Sequence, residues 1–197
     1  MPSIPGVGLS RGTLRVILGR YLDRPATEIA FTHNAHGRPE VVLPGEPPLR
    51  FNVTHTGDVA LIAVTRLPTI GVDIERYRKE TRLTELAERY FAPAEVAAWR
   101  ELPDELRTPG FFHIWTQKEA YVKAHGRGLT YPLDLFVVES DPRLPARLHA
   151  TLDDPTEAAC WRMETLACPA GYAAALAGPV GDWRVVPCDF ATSHDRS

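Results

Sequence analysis

Three strand-like runs crowd into residues 49–75, and that density commits the chain to a fold with a substantial β-sheet. Leu49, Phe51 and Val53 alternate with polar neighbours, residues 54–58 read as a turn, and residues 59–64 form a continuous apolar run expected to be buried on both faces. After a break at Pro68, Ile70, Val72 and Ile74 alternate with Gly71, Asp73 and Glu75, giving one apolar and one acidic face.

Helical periodicity surrounds this block. Leu14, Ile17, Leu18 and Tyr21 predict an amphipathic helix over 10–22, with Arg11 and Arg15 together on one side, toward water or an anion. Leu83, Leu86, Ala87 and Tyr90 predict a second helix. Pro93 opens a third, with Glu95 in its first turn and Val96, Trp99 and Leu102 inward. A Pro-bearing connection over 102–109 then leads to a helix that starts near Phe111 and breaks at Gly126 and Gly128. Short strands are expected at 29–31, 135–138, 147–152, 160–166, 172–176 and 183–186. The run from Gly57 (Gly-Asp-Val-Ala-Leu-Ile-Ala-Val) is echoed from Gly171 (Gly-Tyr-Ala-Ala-Ala-Leu-Ala-Gly), and both halves run helix first and strands after. The expectation is an α+β protein of two similar α/β lobes related by a pseudo-two-fold, each a mostly antiparallel sheet packed with helices. Residues 1–78 form the N-terminal lobe and 79–197 the C-terminal lobe.

With 44% hydrophobic and 24% charged residues, the chain is a folded protein rather than a disordered one. A net charge of −3 argues against a general nucleic-acid binder. Arg11, Arg15 and Arg20 interrupt the first apolar stretch, so neither a signal peptide nor a membrane span is expected, and the location is read as cytoplasmic. The three cysteines, Cys160, Cys168 and Cys188, lack Cys-x-x-Cys spacing and read as free thiols. His33 and His36 read as polar loop residues rather than metal ligands.

The chemistry gathers around acidic residues. Asp73 and Glu75, two apart on a strand, project to one face and repel each other unless a cation or solvent intervenes. Taken alone, such a pair is more often an exposed acidic edge. Glu119 and Lys123 stand one helical turn apart, with Trp115 a turn earlier on the same side; alone, they are an ordinary solvated ion pair. Together, Asp73, Glu75 and Glu119 form a plausible all-oxygen site for Mg²⁺ or Mn²⁺. His55, in the expected turn, either bonds that turn or grips a phosphate alongside Thr54; Arg38, Lys123 and Arg11 add anion donors. This set suits a metal-bound pyrophosphate.

The segments Phe51-Asn-Val-Thr-His-Thr-Gly57, Ile70-Gly-Val-Asp-Ile-Glu75 and Trp115-Thr-Gln-Lys-Glu-Ala-Tyr-Val-Lys123, with Gly126 to Leu129, resemble the ordered motifs of the 4′-phosphopantetheinyl transferase superfamily, in its two-lobed surfactin-synthetase-activating type. Gly37-Arg-Pro39 resembles a weaker fourth motif. The resemblance implies that fold and Mg²⁺-dependent transfer of phosphopantetheine from coenzyme A to a serine of an acyl or peptidyl carrier protein, with release of 3′,5′-ADP. It implies Asp73, Glu75 and Glu119 as metal ligands, Lys123 on the phosphates and the departing charge, and His55, Thr54 and Arg38 on the nucleotide's phosphates. Glu119, directly or through a metal-bound water, is implied as the group that takes the serine proton. A cytoplasmic monomer serving polyketide and nonribosomal peptide synthases is implied, with one active site between its lobes. Thr54 and Thr56 stand where serines are more frequent and keep the hydroxyls; Arg38 replaces the more usual lysine. The chain begins close to its first helix, so basic contacts usual before it in this type are expected to be missing or to come from Arg11 or Arg15. Two other readings compete: a non-catalytic coenzyme A or carrier-protein binding module, and another Mg²⁺-dependent enzyme acting on a nucleotide diphosphate.

Overall fold

A computed structural model describes residues 11–33, 39–42, 48–78, 82–126 and 131–190. The expected Gly128 break lies outside them. The first helix, α1 (Arg11–Leu22), packs Leu14 and Leu18 against Leu49 and Phe51. A small antiparallel pair follows, β1 (Phe31–His33) with β2 (Pro39–Val41). Then come the hairpin β3 (Arg50–Thr56) and β4 (Val59–Thr65), and β5 (Gly71–Arg76). Helices α2 (Leu83–Tyr90), α3 (Pro93–Arg100) and α4 (Asp104–His125) separate these from β6 (Phe136–Val138), β7 (Leu148–Thr151), β8 (Trp161–Thr165) and β9 (Tyr172–Pro179). The architecture is mixed α+β, and among the described residues every strand pairing is antiparallel: β1–β2, β3–β4, β6–β7 and a three-stranded sheet ordered β5-β9-β8. Among the described residues, no helix is long and apolar enough to cross a membrane.

Four sequence expectations shift. Thr54, His55 and Thr56 belong to β3 rather than a turn; the turn is the two-residue Gly57-Asp58, with Gly57 at φ 55. In β4 only Ala63 is buried. Its two faces meet separate apolar clusters, Ile62 and Val64 on the α1 side and Leu61 and Ala63 on the β5 side, and neither covers the hairpin completely. The connection expected over 102–109 is helix from Asp104, with Pro109 inside α4 close to its start, where one backbone bond is forfeited. Residues 183–186 form no strand, and Trp183 and Val185 instead pack on the cluster around Ile70, Val72 and Leu176.

What positions the site is how α4 seats on the three-stranded sheet. Gly71, Asp73 and Glu75 share one face of β5, and their partners across the pairing are Ala177, Ala175 and Ala173. This face is paved with the smallest side chains available, so α4 can lie down on it through Ala120 and Ala124. At Gly71 the approach is backbone to side-chain position: a Cβ there would stand 2.0 Å from the Ala120 carbonyl oxygen and 2.5 Å from the Ala124 nitrogen. Only glycine allows it. On the other face of β5, Val72 is buried with Ala63 and Leu176.

The far side of α4 is buried as well; there Gln117 and Lys118 have their polar atoms bonded, while His113 Nε2 has no partner. Gln117 Nε2 donates to the carbonyls of His113 and Glu139, and its Oε1 accepts from the Arg147 N–H. Lys118 and Glu95 are both 0% exposed and form an ion pair at 2.7 Å. Lys118 also donates to the carbonyls of Leu133 and Phe136, which uses all three of its protons. Glu95 accepts from the Ala92 N–H, closing the start of α3, and from the Val138 N–H at 2.7 Å. Burial raises the Glu95 carboxyl and lowers the Lys118 ammonium. One ion pair thereby ties α3, α4 and β6 together. At its C-terminal end α4 stops at Gly126, in the left-handed region at φ 81, whose N–H bonds the Val122 carbonyl.

Lys118→Met should cost about 3–5 kcal/mol, because it strands Glu95 without its charge partner. Lys118→Met with Glu95→Gln should recover a substantial part of that loss. Urea denaturation of the three proteins measures both, and a single variant as stable as the parent would contradict the assignment.

Candidate functional site

The seating of α4 on β5 places residues from β3, β5 and α4 in one cluster. Asp73, 3% exposed, extends from the small-residue face of β5 toward α4. Its Oδ1 accepts from Lys123 Nζ at 2.6 Å and from Thr54 Oγ1 at 2.9 Å. Lys123 also donates to the Val72 carbonyl at 3.3 Å, so it reaches across from α4 to β5. Asp73 Oδ2 is buried and has no hydrogen-bond partner. Two residues on, Glu75 Oε2 accepts from Thr56 Oγ1 and from Arg78 Nη2, each at 3.4 Å.

The three acidic residues feel one another. Burial raises the Glu119 carboxyl above its ordinary value, the Asp73 charge raises it further, Lys123 partly offsets this, and Glu75 adds to the rise. Glu75 is raised for the same reasons, burial first and Asp73 second, against the opposing pull of Arg78. As the side chains stand, no group of three or more His, Cys, Asp or Glu among the described residues is arranged to hold a metal ion. The donor set nonetheless fits a hard divalent cation: all its donors are carboxylates, one buried carboxylate oxygen is unpartnered, and two carboxyls are raised by burial and by the neighbouring Asp73 charge.

Of the remaining candidates, Thr54 joins the cluster and the others do not. Thr54 is buried, and its hydroxyl goes to Asp73. His55, the next residue of β3, is exposed, because neighbours on a strand face opposite ways. Arg11 opens α1 at the exposed surface. Arg38 lies outside the described residues. Trp115 shares α4 with Glu119 but packs into an aromatic cluster, stacked on Phe111 and edge-on to Tyr90. Sequence reasoning overlooked Asn52, Thr56 and Arg78 as neighbours of the carboxylates. The signal for the first two was present: Asn52, Thr54 and Thr56 are alternate residues of one strand.

Because the folded Glu119 carboxyl holds its proton to higher pH than the unfolded chain does, its ionisation opposes folding increasingly as pH rises from about its ordinary value of 4.5. In chelator-containing buffer, Glu119→Gln should therefore be more stable than the parent at pH 7, with the gap closing as pH falls to about 4. Thermal melts of both proteins across that range read this out, and a gap that does not change with pH counts against it.

The chain is similar to known proteins. The family model described as the 4′-phosphopantetheinyl transferase superfamily matches residues 69–177. The 4′-phosphopantetheinyl transferase HetI of Nostoc sp. is 40% identical over 141 residues, covering 70% of this chain, and the chain spans 58% of HetI's length. The 4′-phosphopantetheinyl transferase psf-1 of Bacillus pumilus is 33% identical over 171 residues, covering 82% of this chain and 70% of its own. Among solved structures, a holo-(acyl-carrier-protein) synthase from Bacillus anthracis in complex with CoA (3′,5′-ADP) aligns with a TM-score of 0.46 and 23% identity, over 56% of this chain and 94% of that one.

Proposed function

The chain belongs to the 4′-phosphopantetheinyl transferase superfamily, and from that premise we propose that it transfers phosphopantetheine from coenzyme A to a serine of an acyl or peptidyl carrier protein. The observation that carries the proposal is Asp73, held by Lys123 and Thr54 through one oxygen with the other buried and unpartnered, beside two further carboxylates.

In this reading Asp73, Glu75 and Glu119 hold Mg²⁺ or Mn²⁺, which when bound supplies positive charge to the pyrophosphate of coenzyme A. The serine oxygen forms a bond to the phosphorus that carries the pantetheine arm. The bond from that phosphorus to the bridging oxygen breaks, and 3′,5′-ADP leaves with the electron pair. Glu119, directly or through a water, accepts the serine proton. Lys123, on a four-carbon stem, moves from Asp73 to the departing phosphate and lowers the cost of the charge that develops there. His55 and Arg38 add contacts to the nucleotide's phosphates, and Arg11 extends this set at the start of α1. The protein works as a cytoplasmic monomer on carriers of polyketide and nonribosomal peptide synthases. Its catalytic residues come from an N-terminal lobe over 1–78 and a C-terminal lobe over 79–197.

The reading is tested by incubating the purified protein with coenzyme A, Mg²⁺ and a panel of apo carrier proteins, and following carrier mass and 3′,5′-ADP. Loading of at least one carrier is expected, dependent on metal. Asp73→Ala and Glu119→Ala should each lower turnover by about 10²–10³-fold or more while the circular dichroism spectrum is kept. A folded parent protein that loads no carrier, or either variant at near-parental turnover, would defeat the assignment.

A further inference from the structure

We infer that Asn52, Thr54 and Thr56 are positioning residues, a polar comb on β3 that fixes β5 and its two carboxylates for a divalent cation. This rests on the metal-carboxylate reading above and changes the role of Thr54, from a contact to the nucleotide's phosphates to a support for Asp73.

β3 and β5 belong to different sheets, so no strand ladder joins them. Alternate side chains of β3, spaced roughly 7 Å apart along the strand, make the connection instead. Asn52 Oδ1 accepts from the Val72 N–H at 2.8 Å, Thr54 Oγ1 donates to Asp73 Oδ1 at 2.9 Å, and Thr56 Oγ1 donates to Glu75 Oε2 at 3.4 Å. The first tooth holds the β5 backbone, and the Val72 carbonyl takes Lys123 from the α4 side. Both polar groups of the Val72 peptide edge are therefore met by side chains. The second and third teeth each engage a single oxygen of a carboxylate. Lys123 shares the Asp73 oxygen with Thr54, and Arg78 shares the Glu75 oxygen with Thr56. The free oxygen of Asp73 is then the buried, unpartnered Oδ2.

The chemistry of a hydroxyl excludes the competing role for Thr54 in this arrangement. A hydroxyl has one proton to donate, and a phosphate oxygen can only accept. Thr54 is 7% exposed and spends that proton on Asp73. Groups that orient metal ligands in this way typically set metal affinity by 10–100-fold.

The test separates metal affinity from nucleotide affinity. Mn²⁺ binding to the full chain is measured by electron paramagnetic resonance in the presence of coenzyme A, and coenzyme A binding is measured separately in chelator. Thr54→Val, which keeps shape and removes the hydroxyl, should weaken Mn²⁺ binding by about 10–100-fold. Thr54→Ser should restore it to within about 3-fold of the parent, and coenzyme A affinity in chelator should be equal in all three. Thr56→Val should weaken Mn²⁺ by a smaller factor, with Thr56→Ser restoring it, and this pair carries the test if Thr54→Val does not fold. Unchanged Mn²⁺ affinity in the valine variants overturns the comb, as does a loss of coenzyme A affinity in chelator with Mn²⁺ binding intact. A parent protein that binds no Mn²⁺ at all overturns the metal reading itself, and the comb with it.

Discussion

The contact between α4 and β5 at Gly71 sets what every other part of the structure must satisfy. With the Ala120 carbonyl 2.0 Å from where a Cβ would be, helix and strand touch with nothing between them, and the alanines of β9 continue the same low floor. A larger residue in that row would lift the helix by ångströms. Because Asp73 and Glu75 follow Gly71 on the same face, their separation from Glu119 and Lys123 is governed by that one distance. The 2.6 Å contact between Lys123 and Asp73 is its direct expression.

Gathering acidic groups under a helix is unfavourable by itself. Burial and mutual repulsion raise two of the carboxyls, and one oxygen of Asp73 has no partner. On the other side of α4, Lys118 and Gln117 are built to the opposite specification. There Lys118 has every proton bonded and its charge matched, and Gln117 bridges three backbone groups. Polar groups buried with full satisfaction give a segment a single preferred placement.

Much of this was legible in the chain. Period-two alternation located β5 with its acidic face, helical periodicity located α1 to α3, and Gly126 marked the end of α4. Motif order tied Asp73, Glu75 and Glu119 together before any distance was known. The rest depended on tertiary context. Thr54 and His55 read as a turn because Thr-His-Thr-Gly is polar and ends in glycine, but two-residue hairpins need less chain than that. Pro109 read as part of a connection, although it stands in the second turn of α4 and costs the helix a single backbone bond. Lys118 could not be told from a surface lysine, since its partner Glu95 lies 23 positions away and only the packed helices bring them to 2.7 Å.

Lys118 and Glu119 are neighbours in sequence, so on a helix they point about 100° apart. Turning α4 by one residue would drive the Glu119 carboxylate toward the pocket that already holds Glu95, and would swing the Lys118 ammonium out of its cage of carbonyls. Sliding the helix by a step meets the same penalty, because the Gly71 notch accepts only the backbone beside Ala120 and Ala124. The adjacent opposite charges thus act as a key cut on two sides, which admits one rotation and one depth. The geometry of the carboxylate cluster is indexed from the opposite side of the helix.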